Sequence, residues 1–318
     1  MLRLKGSVMS HSDIALPTDA SAATDRESWL ALMDVIGEEA GHFQTVGARH
    51  WAFFSDDSPT LLVTFEDMAS IRATRRDQMP LGHGIAKAKG WSHLCLISDG
   101  ETWFRDPAVY AHVDRLVDDA FFEDFDRVLF YGAGPAAHAA CAFSVAAPGA
   151  TVVAIQPCAT LDPAIAGWDR RHLSARRLDF THRYGYAPDM TDGAAAVFVV
   201  HDPLVAEDAM HAALFHAAFV TPLRMRHFGG RIEESLGQME LLTPMIEAAC
   251  EGTLTVPAFA RMLRSRRSFG PYLRDLLARA GAAGRPALEV MICRSVTARL
   301  NAPKFRRRLA ELVPPTLA

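Results

Sequence analysis

Short apolar runs alternate with amphipathic stretches through the middle of the chain. Residues 51–54 (WAFF) and 61–65 (LLVTF) read as strands, and the turn-rich Ser55-Asp56-Asp57-Ser58-Pro59 between them predicts a hairpin. Residues 93–97 (HLCLI), 127–131 (RVLFY), 151–155 (TVVAI) and 195–200 (AAVFVV) read as further strands. Pro222 demotes 220–225 to an edge strand, because it cannot donate to a ladder. Between them lie helical patterns: a short one at 82–90 that ends in glycine, and an Ala-rich one at 135–145. In a third, Val109, Val113, Leu116, Val117 and Ala120 recur at helical spacing.

Strands that read as unbroken apolar runs are buried on both faces, and strands separated by helices build βαβ units. The chain is therefore expected to be α/β, with a mostly parallel sheet. Beyond about residue 241 the strand signal stops. Residues 245–251, 256–266, 271–280 and 287–300 read as helices, broken by Gly252, Gly270, Gly281 and Gly284. The expected organisation is a disordered leader at 1–25, an α/β domain at 26–240 and a helical C-terminal module at 241–318. Internal repeats and low-complexity tracts are not apparent.

Composition adds little to the fold and more to the exclusions. Half of the 318 residues are apolar and 22% are charged, an ordinary globular balance. The net charge of −4 is not a polycation's, so nucleic acid is not expected as a partner. The charge is uneven: residues 251–318 carry thirteen Lys/Arg against four Asp/Glu. Arg261, Arg264, Arg266 and Arg267, and then Lys304, Arg306, Arg307 and Arg308, form two clusters. A solvated face that complements an acidic core, within one molecule or across a homodimer, is the expectation there; an anion-binding surface is the sharper alternative. The five cysteines, Cys95, Cys141, Cys158, Cys250 and Cys293, form no C-x-x-C pair and suit reduced thiols in a cytoplasmic protein. No apolar run is long enough to span a membrane.

The most informative stretch is 127–144, RVLFYGAGPAAHAACAFS: a strand, a tight turn of small residues and an Ala-rich helix. It resembles the nucleophile elbow of α/β hydrolases, strand–G-x-S-x-G–helix, with Gly132-Ala133-Gly134-Pro135-Ala136 as the five residues. The resemblance covers about residues 48–240 and implies a sheet of α/β-hydrolase type. The sequence departs from the pattern at two places: Gly134 stands at the nucleophile position and Ala136 replaces the last glycine. Glycine has no side-chain oxygen, so covalent catalysis from that position is excluded.

In that superfamily the order is nucleophile, acid, histidine. Asp202 leaves the end of the strand 195–200, and His227 follows 220–225, so the resemblance puts these two in the acid and histidine positions. A turn aspartate before Pro203 and a loop histidine are the plain alternatives, and His201 competes as the functional imidazole. Trp103 and Arg105, just past a strand end, are candidate pocket residues, as are 168–171 and the aromatic and basic stretch 179–186.

The chain is also similar to bacterial proteins labelled phosphoadenosine phosphosulfate reductase. The S-G-G-K-D-S loop and E-C-G-x-H context of such reductases do not occur, and Cys293 sits in an apolar helical stretch. P-loop, dinucleotide and H-E-x-x-H motifs are absent too, so neither a cofactor nor a metal is expected. Three functions remain: a non-catalytic protein that binds an unidentified small molecule or a partner, a hydrolase that uses a His-activated water, or a reductase.

Overall fold

The computed structural model describes residues 17–313. Its eight strands are β1 (Gly41–Thr45), β2 (His50–Ser55), β3 (Thr60–Asp67), β4 (Ser92–Ser98), β5 (Arg127–Ala133), β6 (Thr151–Ile155), β7 (Ala196–His201) and β8 (Val220–Arg224). They form one sheet in the order β1-β2-β4-β3-β5-β6-β7-β8. β2 runs antiparallel to both its neighbours, and every pairing from β4 to β8 is parallel. Fold class and sheet are those expected: α/β, mostly parallel, of the α/β-hydrolase type. β8 lies at the sheet edge, where Pro222 is tolerated.

The hairpin expected from β2 and β3 does not form. β4 lies between them, antiparallel to β2 and parallel to β3. β4 is buried along its whole length, so a partner on each side satisfies its ladder. The chain reaches that slot through two helices, α1 aside: α2 (Met68–Thr74) and α3 (Leu81–Lys89) cross over from β3.

α1 (Arg26–Ala40) and β1 were not legible in the sequence. α1 starts at a capping box in which Asp25 and Ser28 satisfy each other's backbone N–H, and it buries Trp29, Met33 and Ile36 from successive turns. β1 is a short polar edge strand without an apolar signal. The expected leader differs as well. Residues 1–16 lie outside the described residues, while Ala20 is fully buried and its N–H bonds to Asp77 O. Residues 17–25 therefore belong to the packed structure.

One sheet face carries α4 (Pro107–Asp118), α5 (Pro135–Phe143) and the short α7 (Ala187–Met190), while the short α6 (Pro163–Ala166) follows β6. Its core runs through Val63, Phe65, Leu94, Phe130, Phe143 and Val152. The opposite face buries Leu62, Leu129, Val153 and Val200. α8 (Ala206–Leu214) joins β7 to β8, and α9 (Ile232–Gln238) follows β8. α10 (Leu242–Cys250) and α11 (Val256–Met262) add Met245, Ile246 and Phe259 to the core of that second face. α12 (Gly270–Ala282), α13 (Pro286–Thr297) and α14 (Pro303–Leu312) close over a core of their own, built from Leu273, Ile292, Cys293, Val296 and Phe305. The all-helical stretch expected from 241 onward thus divides, with its first two helices packed on the sheet. Among the described residues no helix is long and apolar enough to cross a membrane.

Trp29 is fully buried, and its indole N–H donates to Gln78 O at 2.9 Å. Trp29→Ala removes the largest side chain of the α1 core and is expected to lower unfolding stability by about 3–5 kcal/mol, read as a shifted denaturant midpoint at unchanged slope.

Candidate functional site

The turn between β5 and α5 is set by sterics. A Cβ on Gly132 would lie 2.2 Å from Ala136 O, so strand and helix approach closer than any side chain allows. Gly134 then takes φ 57°, ψ −123°, a conformation L side chains rarely adopt. Its N–H donates to Ile155 O, and its carbonyl accepts from Ala137 and His138, which starts the helix. A Cβ built on Gly134 meets nothing within 4 Å. The position therefore presents whatever it carries to open space, and it carries nothing.

The next residue removes a second group. Pro135 occupies the first position of α5, where its fixed φ suits the helix. In α/β-hydrolase folds the N–H of that residue is one of the two oxyanion donors. Proline has no N–H. At this turn Gly134 thus offers no side-chain oxygen and Pro135 no N–H.

Beside the elbow, at the C-terminal ends of β3, β4 and β5, lies a cavity of about 970 Å³. Such sheets place ligand sites at that edge. Ala133, Pro135 and Ala136 line it from the elbow side; Phe65, Trp103 and Phe104 form apolar wall. Trp103 and Phe104 both have positive φ, 55° and 56°, which is rare for bulky residues. Backbone strain of this kind concentrates at functional sites.

Of the six acidic and phenolic groups that line this cavity, three interact with one another: Glu66, Tyr131 and Glu233. Thr64 and Tyr131 are register partners on β3 and β5, which brings Glu66 near Tyr131. Glu66 accepts the N–H groups of Leu81 and Gly82 at 2.7 and 2.9 Å and thereby caps α3, whose own N-cap, Pro80, offers no side chain. Glu233 comes from the first turn of α9, and its Oε1 accepts the Tyr131 hydroxyl at 2.5 Å. Burial raises the pKa of Glu66 above the usual carboxylate range, against the opposing N–H bonds, and the nearby Glu233 raises it further. Burial also raises Glu233, with Tyr131's hydrogen bond opposing. Tyr131 is raised by burial and by Glu233. Sequence reasoning missed all three. The one local signal was Glu66 itself, a carboxylate ending the otherwise apolar run of β3.

The residues singled out in the sequence lie elsewhere. Asp202 is fully buried after β7; its two oxygens accept Leu204 N at 3.0 Å and Gly229 N at 2.8 Å. Its carboxylate is spent on backbone, and no hydrogen bond joins it to His227. His227 follows β8 with φ 71° and lines a separate cavity of about 220 Å³ with Phe228, Arg231, Tyr272 and Arg274. Glu234 and Gln238 line both cavities, so the two are neighbours. Burial lowers the His227 pKa, and Arg279 adds to this. His201 is buried at the end of β7, lowered by burial, and lines neither cavity. Of the pocket candidates, Trp103 lines the larger cavity. Arg105 instead ties down the 179–186 stretch by donating to Asp179 O and Arg183 O. That stretch is self-satisfied: Arg183 and Tyr184 both bond Asp114.

Among the described residues, two clusters each bring three potential ligand atoms within 4.8 Å of one another. In Cys158–Asp169–His211, His211 donates to Asp169 (3.1 Å) and accepts from Ala159 N. Arg171 bridges Asp169 and Asp208. A guanidinium already supplies the positive charge there, and burial pushes the Cys158 thiol up to about 12. In Glu66–His93–Cys95, the Thr64 hydroxyl sits between His93 and Glu66, bonded to both, and the amides at the start of α3 take the carboxylate. Both read as hydrogen-bonded relays. Cys293, the cysteine nearest the C-terminus, is fully buried and raised by burial, which deprives the reductase reading of its thiolate.

Two outcomes follow from this geometry. Gly132→Ala is expected to lower stability by about 3 kcal/mol or more, because backbone must move; Gly134→Ala, with open space but positive φ, by about 1–2 kcal/mol. Chemical denaturation of both variants checks the order. The second concerns pH. Carboxyls raised in the folded state hold protons that the unfolded chain, with glutamate near 4.3, releases. Their contribution is present below that value and is lost as pH rises through the folded pKa. Glu233→Gln is therefore expected to match the native chain in melting temperature near pH 4 and to exceed it near pH 8. An equal loss at both values overturns this.

No protein-family model matches the chain, and no curated protein matches it. Among solved structures it is similar to Est1E from Butyrivibrio proteoclasticus, at 14% identity over 64% of this chain and 94% of that one, TM-score 0.44. It is also similar to an esterase from Pyrobaculum calidifontis, at 14% identity over 74% and 96%, TM-score 0.44. A lipase/esterase from Lactobacillus plantarum is similar at 13% identity over 67% and 97%, TM-score 0.43. The strand order, with a strand–turn–helix elbow after β5, gives this chain a sheet of the α/β-hydrolase type with a helical C-terminal part.

Proposed function

We propose that the protein is a non-catalytic α/β-hydrolase-like binder of a small molecule, seated in the cavity beside Gly134. One observation carries the reading: Gly134-Pro135 offers neither an attacking oxygen nor the following N–H. Acyl transfer needs both, and oxyanion donors are commonly the largest single contribution to it. What remains is a preformed concave site with apolar walls and a few convergent polar groups, the ordinary make-up of a small-molecule pocket. The strained Trp103-Phe104 wall supports the same reading.

The alternative, hydrolysis by a water that His227 or His201 activates, has less support. A general base must come within hydrogen-bond reach of the proton it takes, and neither imidazole lines the elbow cavity. In this reading Asp202 ties the end of β7 to the loop after β8 through Gly229 N, and His227, whose buried Nδ1 has no partner, does not form a working pair with it.

Native mass spectrometry of gently purified protein tests the proposal. A small molecule is expected to be retained by the native chain and lost from Ala136→Trp, which fills the cavity from its elbow side. In parallel, p-nitrophenyl esters are expected to turn over at background with the native chain and with Gly134→Ser. Turnover by the native chain that disappears in His227→Ala would falsify the binder reading and restore the hydrolase.

A further inference from the structure

We propose that the ligand of the elbow cavity is a cationic amine with an apolar body, and that Glu233 is its counter-ion. This rests on the cavity being the ligand site. Five carboxylates line it, Glu66, Asp67, Glu101, Glu233 and Glu234, against a single guanidinium, Arg75. Arg75 is itself paired with Asp77 at 3.1 Å. Low-dielectric walls focus a field of one sign on whatever enters such a cleft.

Hydrogen bonding and burial together single out one carboxylate. Glu66 is occupied by the α3 amides and by Thr64. Asp67 caps α2 and accepts Gly100 N. Glu101 accepts the Trp103 indole N–H and Glu234 accepts from Gln238; each keeps a second oxygen without a partner, but both side chains are exposed to water. Glu233 is half-buried instead. Its Oε1 takes the Tyr131 hydroxyl, which has no second hydrogen to give, while Oε2 has no hydrogen-bond partner among the described residues. It lies half-buried at the cavity wall, close enough to Glu66 that its charge disfavours the charge of Glu66.

A group that answers this site must donate a hydrogen bond and bring positive charge. An alcohol does only the first; a carboxylate meets repulsion. An ammonium does both, and offsets the effect of the Glu233 charge on Glu66. The apolar walls at Phe65, Trp103 and Phe104 suit a hydrocarbon or aryl body behind the amine.

Three isosteric probes decide the matter by calorimetric titration of the full chain at pH 8: 4-phenylbutylamine, 4-phenylbutanol and 4-phenylbutanoate. The amine is expected to bind about tenfold tighter than the alcohol or more, the scale of one charge-assisted hydrogen bond, and the carboxylate to show no binding. Glu233→Gln is expected to bring the amine to the alcohol's level and leave the alcohol unchanged, which also shows that the variant is folded. Lowering the pH to 5 is expected to weaken only the amine. Equal binding of amine and alcohol, preference for the carboxylate, or an amine preference that survives in Glu233→Gln overturns the amine assignment and leaves the cavity as a ligand site. Binding by none of the three also overturns it; retention or loss of a co-purified molecule then judges the binder reading separately.

Discussion

The close approach of β5 to α5 is the constraint from which the site follows. With 2.2 Å between a notional Cβ on Gly132 and Ala136 O, only glycine lets the chain turn there. Once that approach is fixed, Gly134 is forced to positive φ, the helix must start at Pro135, and the cavity opens beside them at the C-terminal edge of the sheet. The turn is therefore held by backbone geometry alone, with no side-chain oxygen at 134 and no N–H at 135.

The ionisable groups that line the cavity beside that turn are mostly carboxylates, and burial disfavours the charge of two of them, Glu66 and Glu233. The fold handles this burden by local means: Glu66 is held by the first amides of α3, where partial positive charge gathers, and Glu233 by a phenol. Both arrangements satisfy hydrogen bonds without supplying a full counter-charge.

Much of the fold was legible in the sequence because buried parallel strands announce themselves. β4, β5, β6 and β7 are apolar runs, and each was read close to its observed bounds. β1 was not legible: its five residues, GHFQT, lie on the sheet edge and have no apolar period to detect. The hairpin expected from β2 and β3 failed for a different reason, since strand pairing is decided by a third strand, β4, thirty residues away. At the site, the Gly134 turn could be read because its demands are local in sequence. Glu66, Tyr131 and Glu233 could not, because they meet only through the sheet register and the return of the chain after β8. A hundred residues separate the Tyr131 hydroxyl from the carboxylate it serves.

Pro135 has a consequence for any attempt to install chemistry at this turn. A serine placed at position 134 would find no N–H on the residue that follows it. An N–H restored at position 135 would find no side-chain oxygen at 134. Under the proposed reading the two positions are coupled: each change has value only in the presence of the other, so single substitutions there are expected to be silent where the double one is not.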